Sequence, residues 1–321
     1  MIDIKILREN PALVKQNAAR RGCKVDIDAL SALDRQYLDL MKEVENLRAE
    51  RNRLSKECQK NPDARETVKQ MKVTLAEKET LMEQVKAQVE EKLTWLPNFL
   101  SPEVPDGADD SDNAALRFVG DKPAFAFTAL DHQALGDKLG IIDTVRGAKV
   151  AQSGFYFWRG AGAQLTQAMF FWGQQQLVKR GFTLFMSPCL AKSRTLFGTG
   201  YLPFFAEQTY TLANEDLALI GTSEQTLVAY HADETLEAER LPLFYTAFTP
   251  CFRTEAGSWG KETRGIFRVH QFHKVEQIVF CLPEDSPRCH DLCQENEEFL
   301  LQQLGIPYRV VKVCVGDMGA P

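Results

Sequence analysis

Between residues 30 and 96 the chain carries two apolar seams separated by a helix breaker, and that pattern leaves few folds open. Leu30, Leu33, Tyr37, Leu40, Val44, Leu47, Arg51, Leu54 and Cys58 recur at alternating steps of three and four, the spacing that aligns side chains along one edge of a long helix. Asn61-Pro62 interrupts the pattern, because a proline ring disfavours the helical conformation of the residue before it and supplies no backbone donor. A second seam follows in Val68, Met71, Leu75, Met82, Val85, Val89 and Leu96, with Lys78 on the stripe. Two helices of similar length around one tight turn predict an antiparallel helical hairpin over about residues 28–96, turning near 61–63. At about 1.5 Å per residue each helix is roughly 45 Å long.

A hairpin of two helices has little core of its own, and its outer faces here are charged. It suits first a dimerising or spacer coiled coil, and as the sharper alternative an arm that touches a polyanion. The second reading rests on residues 48–65, where Arg48, Arg51, Arg53, Lys56, Lys60 and Arg65 face three acidic residues. The whole chain, at net charge −6, lacks the strongly basic footprint of an undifferentiated nucleic-acid binder. Residues 1–97 hold 19 Lys+Arg against 17 Asp+Glu, and the remainder 19 against 27, so the first third is the basic part of an acidic protein.

"LPNFLSPEVPDGADDSDN", residues 96–113, ends the helical pattern with Pro, Asp and Ser. The expected organisation is a helical arm over 1–100, a linker over 101–118 and a second domain over 119–321. That second domain reads as α+β. Its candidate strands are "FYFWR", "LALIG", "LFYTAF", "EQIVFCL" and "YRVVKVCV", with helices expected at 162–180 and about 286–304. Eight scattered cysteines without a CxxC pair suit reduced thiols. No stretch approaches the about 18 apolar residues of a membrane span, and "MIDIKILREN" does not read as a signal peptide. The expectation is a cytoplasmic protein.

Chemistry concentrates in "CFRTEAGSWGKETRGIFRVHQFHKVE", residues 251–276. Alternate side chains of a strand share a face. Arg253 and Glu255 would then point one way in the first arm, and Arg268, His270, Phe272, Lys274 and Glu276 one way in the second. Phe252, Phe267, Val269 and Val275 give the opposite face an apolar character. Such a hairpin is either a solvated surface or a site where a purine stacks on Phe272 while arginine forks hold phosphate. The connector between the arms is long and Gly-rich, as functional loops often are.

In "LIGTSEQTLVAYH", Thr222, Ser223 and Glu224 follow an apolar run, and helix capping alone would explain them. Cys289, His290 and Cys293 lie close in sequence without a second ligand cluster, so they read as structural rather than as a metal site. No Gly-rich phosphate loop of a known pattern is present.

Taken together these segments resemble the seryl-tRNA synthetases, a family of class II aminoacyl-tRNA synthetases. The resemblance runs over essentially the whole chain: the opening "MIDIKILRENPALVKQNAARRG", the helical hairpin, "PNFLSPEVPDG", "LVKRGFTLFMSPCLAK", "FGTGYLPFFAEQTYTL", "GTSEQTLVAYH" and "FRTEAGSWGKETRGIFRVHQFHKVE". The last is similar to the second class II motif, Arg-x-Glu, a loop, then Arg-x3-Phe-x3-Glu. "LVKRGFTLFMSPCLAK", with Phe182 and Pro188, resembles the dimer-interface motif and implies a homodimer. The implied fold is a tRNA-binding helical arm joined to a catalytic domain on an antiparallel sheet flanked by helices.

What the resemblance implies for the site is specific. Arg253 would hold the ATP α-phosphate and carry the catalytic charge stabilisation; Glu255 would accept from the adenine amino group; Phe272 would stack on the base; Arg268 would lie alongside the nucleotide. Thr222, Ser223, Glu224 and Glu276 would read the ammonium and hydroxyl of serine. The tRNA, a serine tRNA and by extension a selenocysteine tRNA, would meet Arg48, Arg51, Arg53, Lys56 and Lys60 on the arm and Lys261 and Arg264 on the connector, mostly through phosphate and shape. ATP would come with Mg2+. The resemblance also implies a third class II motif and metal-coordinating residues beyond Pro321, so weak activity is expected of the 321-residue chain by itself. A non-catalytic tRNA-binding fragment is the alternative, and tRNA binding without ATP turnover would favour it.

Overall fold

The structure is a computed structural model that describes residues 2–57, 63–256 and 265–321. Its contacts divide the chain into two units, Met1–Asn113 with Val313–Pro321, and Ala114–Lys312.

In the first unit the two seams close on each other. Helix α1 (Ile4–Glu9) begins at Asp3, whose carboxylate accepts from the Lys5 amide, and α2 (Pro11–Arg20) at Asn10, whose side chain accepts from the Leu13 amide. These are ordinary capping positions, with Pro11 where a missing amide hydrogen costs nothing. The hairpin is α3 (Ile27–Glu57) and α4 (Asp63–Thr94); the expected turn, Cys58 and Lys60 lie outside the described residues. Leu30, Leu40 and Val44 on α3 and Val68, Leu75, Val85 and Val89 on α4 are buried. Leu93 joins them off the expected stripe, because α4 takes a step of four after Val89 before Leu96.

Charged residues near the seams are satisfied across the hairpin: Lys78 meets Glu43 at 2.8 Å and Arg48 meets Glu79 at 2.7 Å. Half-exposed pairs of this kind contribute about 0–1 kcal/mol each, while each fully buried leucine contributes about 1.5–3 kcal/mol. The apolar seam therefore holds the arm together. At its base Leu7, Val14, Ala18, Ile27, Leu30, Val89, Leu93 and Leu96 form one core, so α1 and α2 supply what two helices alone lack.

The Pro/Asp-rich stretch expected as a linker is folded up to Asn113. Pro105 and Gly107 carbonyls accept from the Val315 and Gly316 amides at 3.0 and 3.1 Å. The Arg21 guanidinium donates to the carbonyls of Asn98 (2.9 Å), Met318 (3.4 Å), Ala320 (3.5 Å) and Gly319. The final nine residues thus belong to the first unit.

The second unit runs β1 (Ala114–Val119), α5 (His132–Leu139), β2 (Ile142–Asp143), α6 (Thr144–Val150), β3 (Phe157–Trp158), α7 (Gly160–Lys179), β4 (Thr183–Phe185), β5 (Leu190–Ala191), α8 (Ser193–Gly198), β6 (Ala218–Leu219), α9 (Glu224–Val228), β7 (Leu243–Phe252), β8 (Gln271–Phe280), α10 (Ser286–Gln303) and β9 (Tyr308–Lys312). The helices expected at 162–180 and 286–304 are α7 and α10. The central sheet is β4-β7-β8, with β4 parallel and β8 antiparallel to β7. The β7–β8 ladder is continuous from Leu243↔Phe280 to Phe252↔Gln271. Pro250 is tolerated in it because β4 reaches only Tyr245–Ala247, leaving Pro250 without a ladder neighbour on that side. Three further antiparallel pairs, β1-β9, β2-β3 and β5-β6, complete the strand pairing of the unit among the described residues.

One face of β7–β8 rests on helices. Phe248 meets Phe170 of α7 at 4.9 Å between ring centroids and stacks on His273 at 5.4 Å. Gln277 is tied to α10, accepting from Asn296 Nδ2 at 2.5 Å and donating to the Cys293 carbonyl at 3.1 Å. The other face carries Tyr245, Ala247, Thr249 and Cys251 opposite Ile278, Glu276, Lys274 and Phe272. It is apolar at the Tyr245 end, where Leu227, Phe185 and Phe280 pack, and polar toward Phe272. Among the described residues no helix is long and apolar enough to cross a membrane.

Candidate active site

The polar end of that face is the floor of a site. The alternation predicted for Phe272, Lys274 and Glu276 holds, but the face is not solvated: Ala247 and Cys251 beneath it are 0% exposed. The strands stop sooner than expected. β7 ends at Phe252, so Arg253 and Glu255 lie beyond it, and Glu255 takes a left-handed conformation at φ 51° that ends strand alternation. Glu255 still meets Arg268, whose Nη1 donates to its Oε2 at 2.6 Å. The chain arrives at that pair through His270, whose carbonyl accepts from the Arg253 amide at 3.0 Å and whose Nδ1 lies 3.0 Å from the Arg253 carbonyl. Only glycine fits at 154 beside it, since a Cβ there would stand 2.6 Å from the His270 ring.

The Arg253 guanidinium lies over the Phe272 ring at 5.2 Å and donates to the Gly221 carbonyl at 3.4 Å. A cation over a ring face is attracted by the ring quadrupole, about 0.5–2 kcal/mol. Backbone bonding and the ring together set the direction of this side chain.

Glu276 is the centre of the second cluster. Its Oε2 accepts from the Ser223 amide at 2.6 Å and the Ser223 hydroxyl at 2.5 Å, with the Glu224 amide at 3.3 Å. Its Oε1 accepts from the Thr222 hydroxyl and from Lys274 Nζ at 2.7 Å. Thr222 and Ser223 are both 0% exposed. Ser223 does occupy the position before α9, yet its side chain makes no capping bond there. Both hydroxyls instead donate to the Glu276 carboxylate across the fold. Burial alone would push the Glu276 carboxyl up; the Lys274 ammonium and the Ser223 and Thr222 hydrogen bonds outweigh it and hold it below the usual range.

Glu224 is treated differently. Burial, then the charge of Glu276, pushes its carboxyl up. The Tyr201 hydroxyl donates to it at 3.4 Å, and burial raises that phenol in turn. The two neighbouring carboxylates thus have oppositely shifted affinities for a proton.

Of the remaining expected residues, Arg48 is paired with Glu79, Arg51 donates to Asn52 Oδ1 at 3.0 Å, and Arg53 is 67% exposed near Glu50. Lys56 and Arg65 are exposed on the same arm. Lys60, Lys261 and Arg264 lie outside the described residues. Phe182 is buried against Phe244 at 5.3 Å, whereas Pro188 is exposed. Cys289 is buried on α10, and no group of three His, Cys, Asp or Glu side chains among the described residues could hold a metal ion. Two contributors had no role in the sequence reading. Lys274 was on the predicted face but unassigned, and nothing in "FGTGYLPFF" marked Tyr201 as a partner of Glu224.

Residues 1–100 match the family model of the seryl-tRNA synthetase N-terminal domain, and residues 209–320 that of the class II tRNA synthetase core domain (G, H, P, S and T). The serine–tRNA ligase of Dictyoglomus turgidum is 42% identical over 330 residues, an alignment covering 100% of this chain and 78% of the relative. That of Rubrobacter xylanophilus is 40% identical, again over 100% of this chain and 77% of its own length. Among solved structures, seryl-tRNA synthetase from Pyrococcus horikoshii complexed with ATP superposes with a TM-score of 0.91 at 35% identity, covering 100% of this chain and 78% of that one. The cytoplasmic serine–tRNA ligase of Naegleria fowleri in complex with AMP does so with a TM-score of 0.85 at 29% identity, covering 100% and 77%. With the fold, both domain models and whole-chain identity in agreement, the chain belongs to the serine–tRNA ligase family of class II aminoacyl-tRNA synthetases.

Proposed function

We propose that the β7–β8 face is where this ligase joins serine to ATP. The observation that carries the reading is the convergence of Thr222, Ser223 and the Ser223 amide on the half-buried Glu276 carboxylate, on the same strand face as Phe272 and its covering Arg253. In the first step a serine carboxylate oxygen bonds to the α-phosphorus of ATP and the bond to the β-phosphate oxygen breaks, releasing pyrophosphate. In the second, a ribose hydroxyl of the tRNA terminus attacks the seryl carbonyl and AMP leaves.

Each side chain has a task suited to its chemistry. Arg253 holds the α-phosphate and offsets the charge that builds on it. Phe272 stacks on adenine, Glu255 accepts from the adenine amino group, and Arg268 keeps Glu255 in place while lying along the nucleotide. Glu276 and Glu224 take the ammonium and hydroxyl of serine, with Thr222 and Ser223 holding the Glu276 carboxylate in place, so that alanine leaves a carboxylate partner unpaired. Mg2+ is proposed to arrive with the nucleotide's phosphates. Residues 119–321 form the catalytic domain, joined through 101–118 to the 1–100 arm.

The partner of the arm is a serine tRNA, and by the same contacts a selenocysteine tRNA, held through Arg48, Arg51, Arg53, Lys56 and Lys60; Lys261 and Arg264 approach its acceptor end. A homodimer is supported by the exposed apolar edge of Leu184 (41%), Met186 (98%) and Leu190 (36%) around Pro188, with Phe182 bracing that edge from inside. The setting is cytoplasmic.

Serine-dependent exchange of pyrophosphate into ATP tests the catalytic half of this reading. Exchange is expected with serine and lost with alanine; equal rates with both would contradict the pocket assignment. For the arm, Arg51→Glu with Arg53→Glu should weaken tRNA binding and reduce its salt slope by about one for each phosphate no longer neutralised. Exchange without tRNA should not change. Unaltered tRNA affinity would return the arm to the spacer reading.

A further inference from the structure

Lys274 is placed unlike an ordinary strand lysine. A lysine at the end of a flexible stem normally carries its ammonium out to water. Here Nζ turns back along its own strand to Glu276 Oε1 at 2.7 Å and reaches the Thr222 hydroxyl oxygen at 3.0 Å, with the Lys274 side chain 31% and the Glu276 side chain 16% exposed. The Thr222 oxygen also accepts from the Glu224 amide at 3.3 Å. A hydroxyl has one proton and two lone pairs. With the ammonium and the amide on the oxygen, its proton is left to point at Glu276. Lys274 therefore fixes both the charge next to Glu276 and the direction of the Thr222 hydroxyl.

We propose that Lys274 is the fixed counter-cation of the Glu224–Glu276 carboxylate pair, and so a positioning residue for the amino acid substrate. The inference rests on the reading that this pair takes the serine ammonium. Charge counting supports it. The groups facing the pair are Lys274 from β8, Arg253 and the Cys251 thiol from β7 and its end, and the Tyr201 hydroxyl from the segment after α8. Two cations thus balance two carboxylates, and Arg253 is the one committed to the nucleotide. Lys274 lowers the proton affinity of both carboxyls, against burial that raises it.

Removing it reverses that balance. Burial and mutual repulsion would then dominate, and the pair would take up a proton at higher pH. Because serine's ammonium needs the ionised pair, binding would be lost at a pH where the parent still binds. The sign is definite: the acid limb moves up, not down.

The test is the KM for serine at pH 6 and pH 8, by pyrophosphate exchange, in the parent, Lys274→Met and Lys274→Arg. Methionine keeps most of the stem without charge; arginine keeps the charge. In Lys274→Met the ratio of KM at pH 6 to that at pH 8 should rise above the parent's, reaching roughly tenfold where the pair's midpoint comes to lie about one pH unit above 6, while the ratio for ATP stays within about twofold. Lys274→Arg should keep the parent ratio. A parent-like ratio in Lys274→Met would overturn the inference. So would an arginine variant shifted like the methionine one, since the cause would then be shape and not charge. If Lys274→Met does not fold, Lys274→Gln, which offers polar donors without charge, is read in the same way. Failure here is separable from failure of the site reading, which falls if Glu276→Gln keeps its serine dependence.

Discussion

Glu276→Gln is expected to lower kcat/KM for serine by on the order of 10²–10³-fold, with KM for ATP changed far less. The carboxylate accepts from the Ser223 amide and hydroxyl on one oxygen and from Thr222 and Lys274 on the other. An amide keeps one acceptor oxygen and puts two donors where the other stood. Whichever way it turns, a donor faces a donor, and the Lys274 ammonium loses its nearest counter-charge. Breaking a fully buried pair by removing one partner costs about 3–5 kcal/mol, this partly exposed pair less, and about 1.4 kcal/mol corresponds to tenfold. Steady-state exchange at varied serine and at varied ATP separates the two effects. A variant within about threefold of the parent for serine would remove Glu276 from the amino acid pocket.

Arg253→Ala is expected to act on the other substrate, cutting the rate of adenylate formation by about 10²–10³-fold, the usual cost of losing one preorganised charge-stabilising donor. The guanidinium is aimed before any phosphate arrives, by the Phe272 ring at 5.2 Å and the Gly221 carbonyl at 3.4 Å. A lysine offers a point charge and cannot reproduce a planar fork over a ring. Arg253→Lys should therefore recover only part of the rate. Rapid-quench measurement of adenylate formation under single-turnover conditions reports the step directly. A rate within about twofold of the parent in Arg253→Ala would exclude the phosphate role.

The arm was legible because a long helix repeats its signal many times: Leu30, Leu40, Val44, Leu75 and Val85 sit in the seam as their spacing predicted. Lys78, an anomaly on that stripe, is explained by Glu43 across the hairpin. The folding of α1 and α2 onto the base was not legible, because short helices show little periodicity and the shared core gathers residues far apart in sequence, Leu7 and Leu96 among them. The contacts of the expected linker were hidden for a similar reason. Its Pro, Asp and Gly content suits a loop, but Pro105 and Gly107 find amide partners at Val315 and Gly316, some two hundred residues away.

In the site, strand alternation correctly grouped Phe272, Lys274 and Glu276. It failed past Phe252, where Glu255 adopts a left-handed conformation that a period of two cannot anticipate. The Thr-Ser-Glu run was ambiguous from its own residues, since a cap and a carboxylate cradle use the same side chains. Only the approach of Glu276, more than fifty residues on, distinguishes them. Burial of the face was hidden as well, because charged residues normally signal solvent and here they signal one another.

Calorimetric titration with a non-hydrolysable seryl-adenylate analogue, set against its alanyl counterpart, tests most directly whether one pocket reads both serine and adenylate. The seryl analogue should bind at least about 10²-fold more tightly than the alanyl one, since a site built around hydroxyl and charge partners leaves them unpaired with alanine. Glu276→Gln should erase most of that difference. Equal affinities for the two analogues in the parent protein would contradict the assignment of Thr222, Ser223, Glu224 and Glu276 to serine.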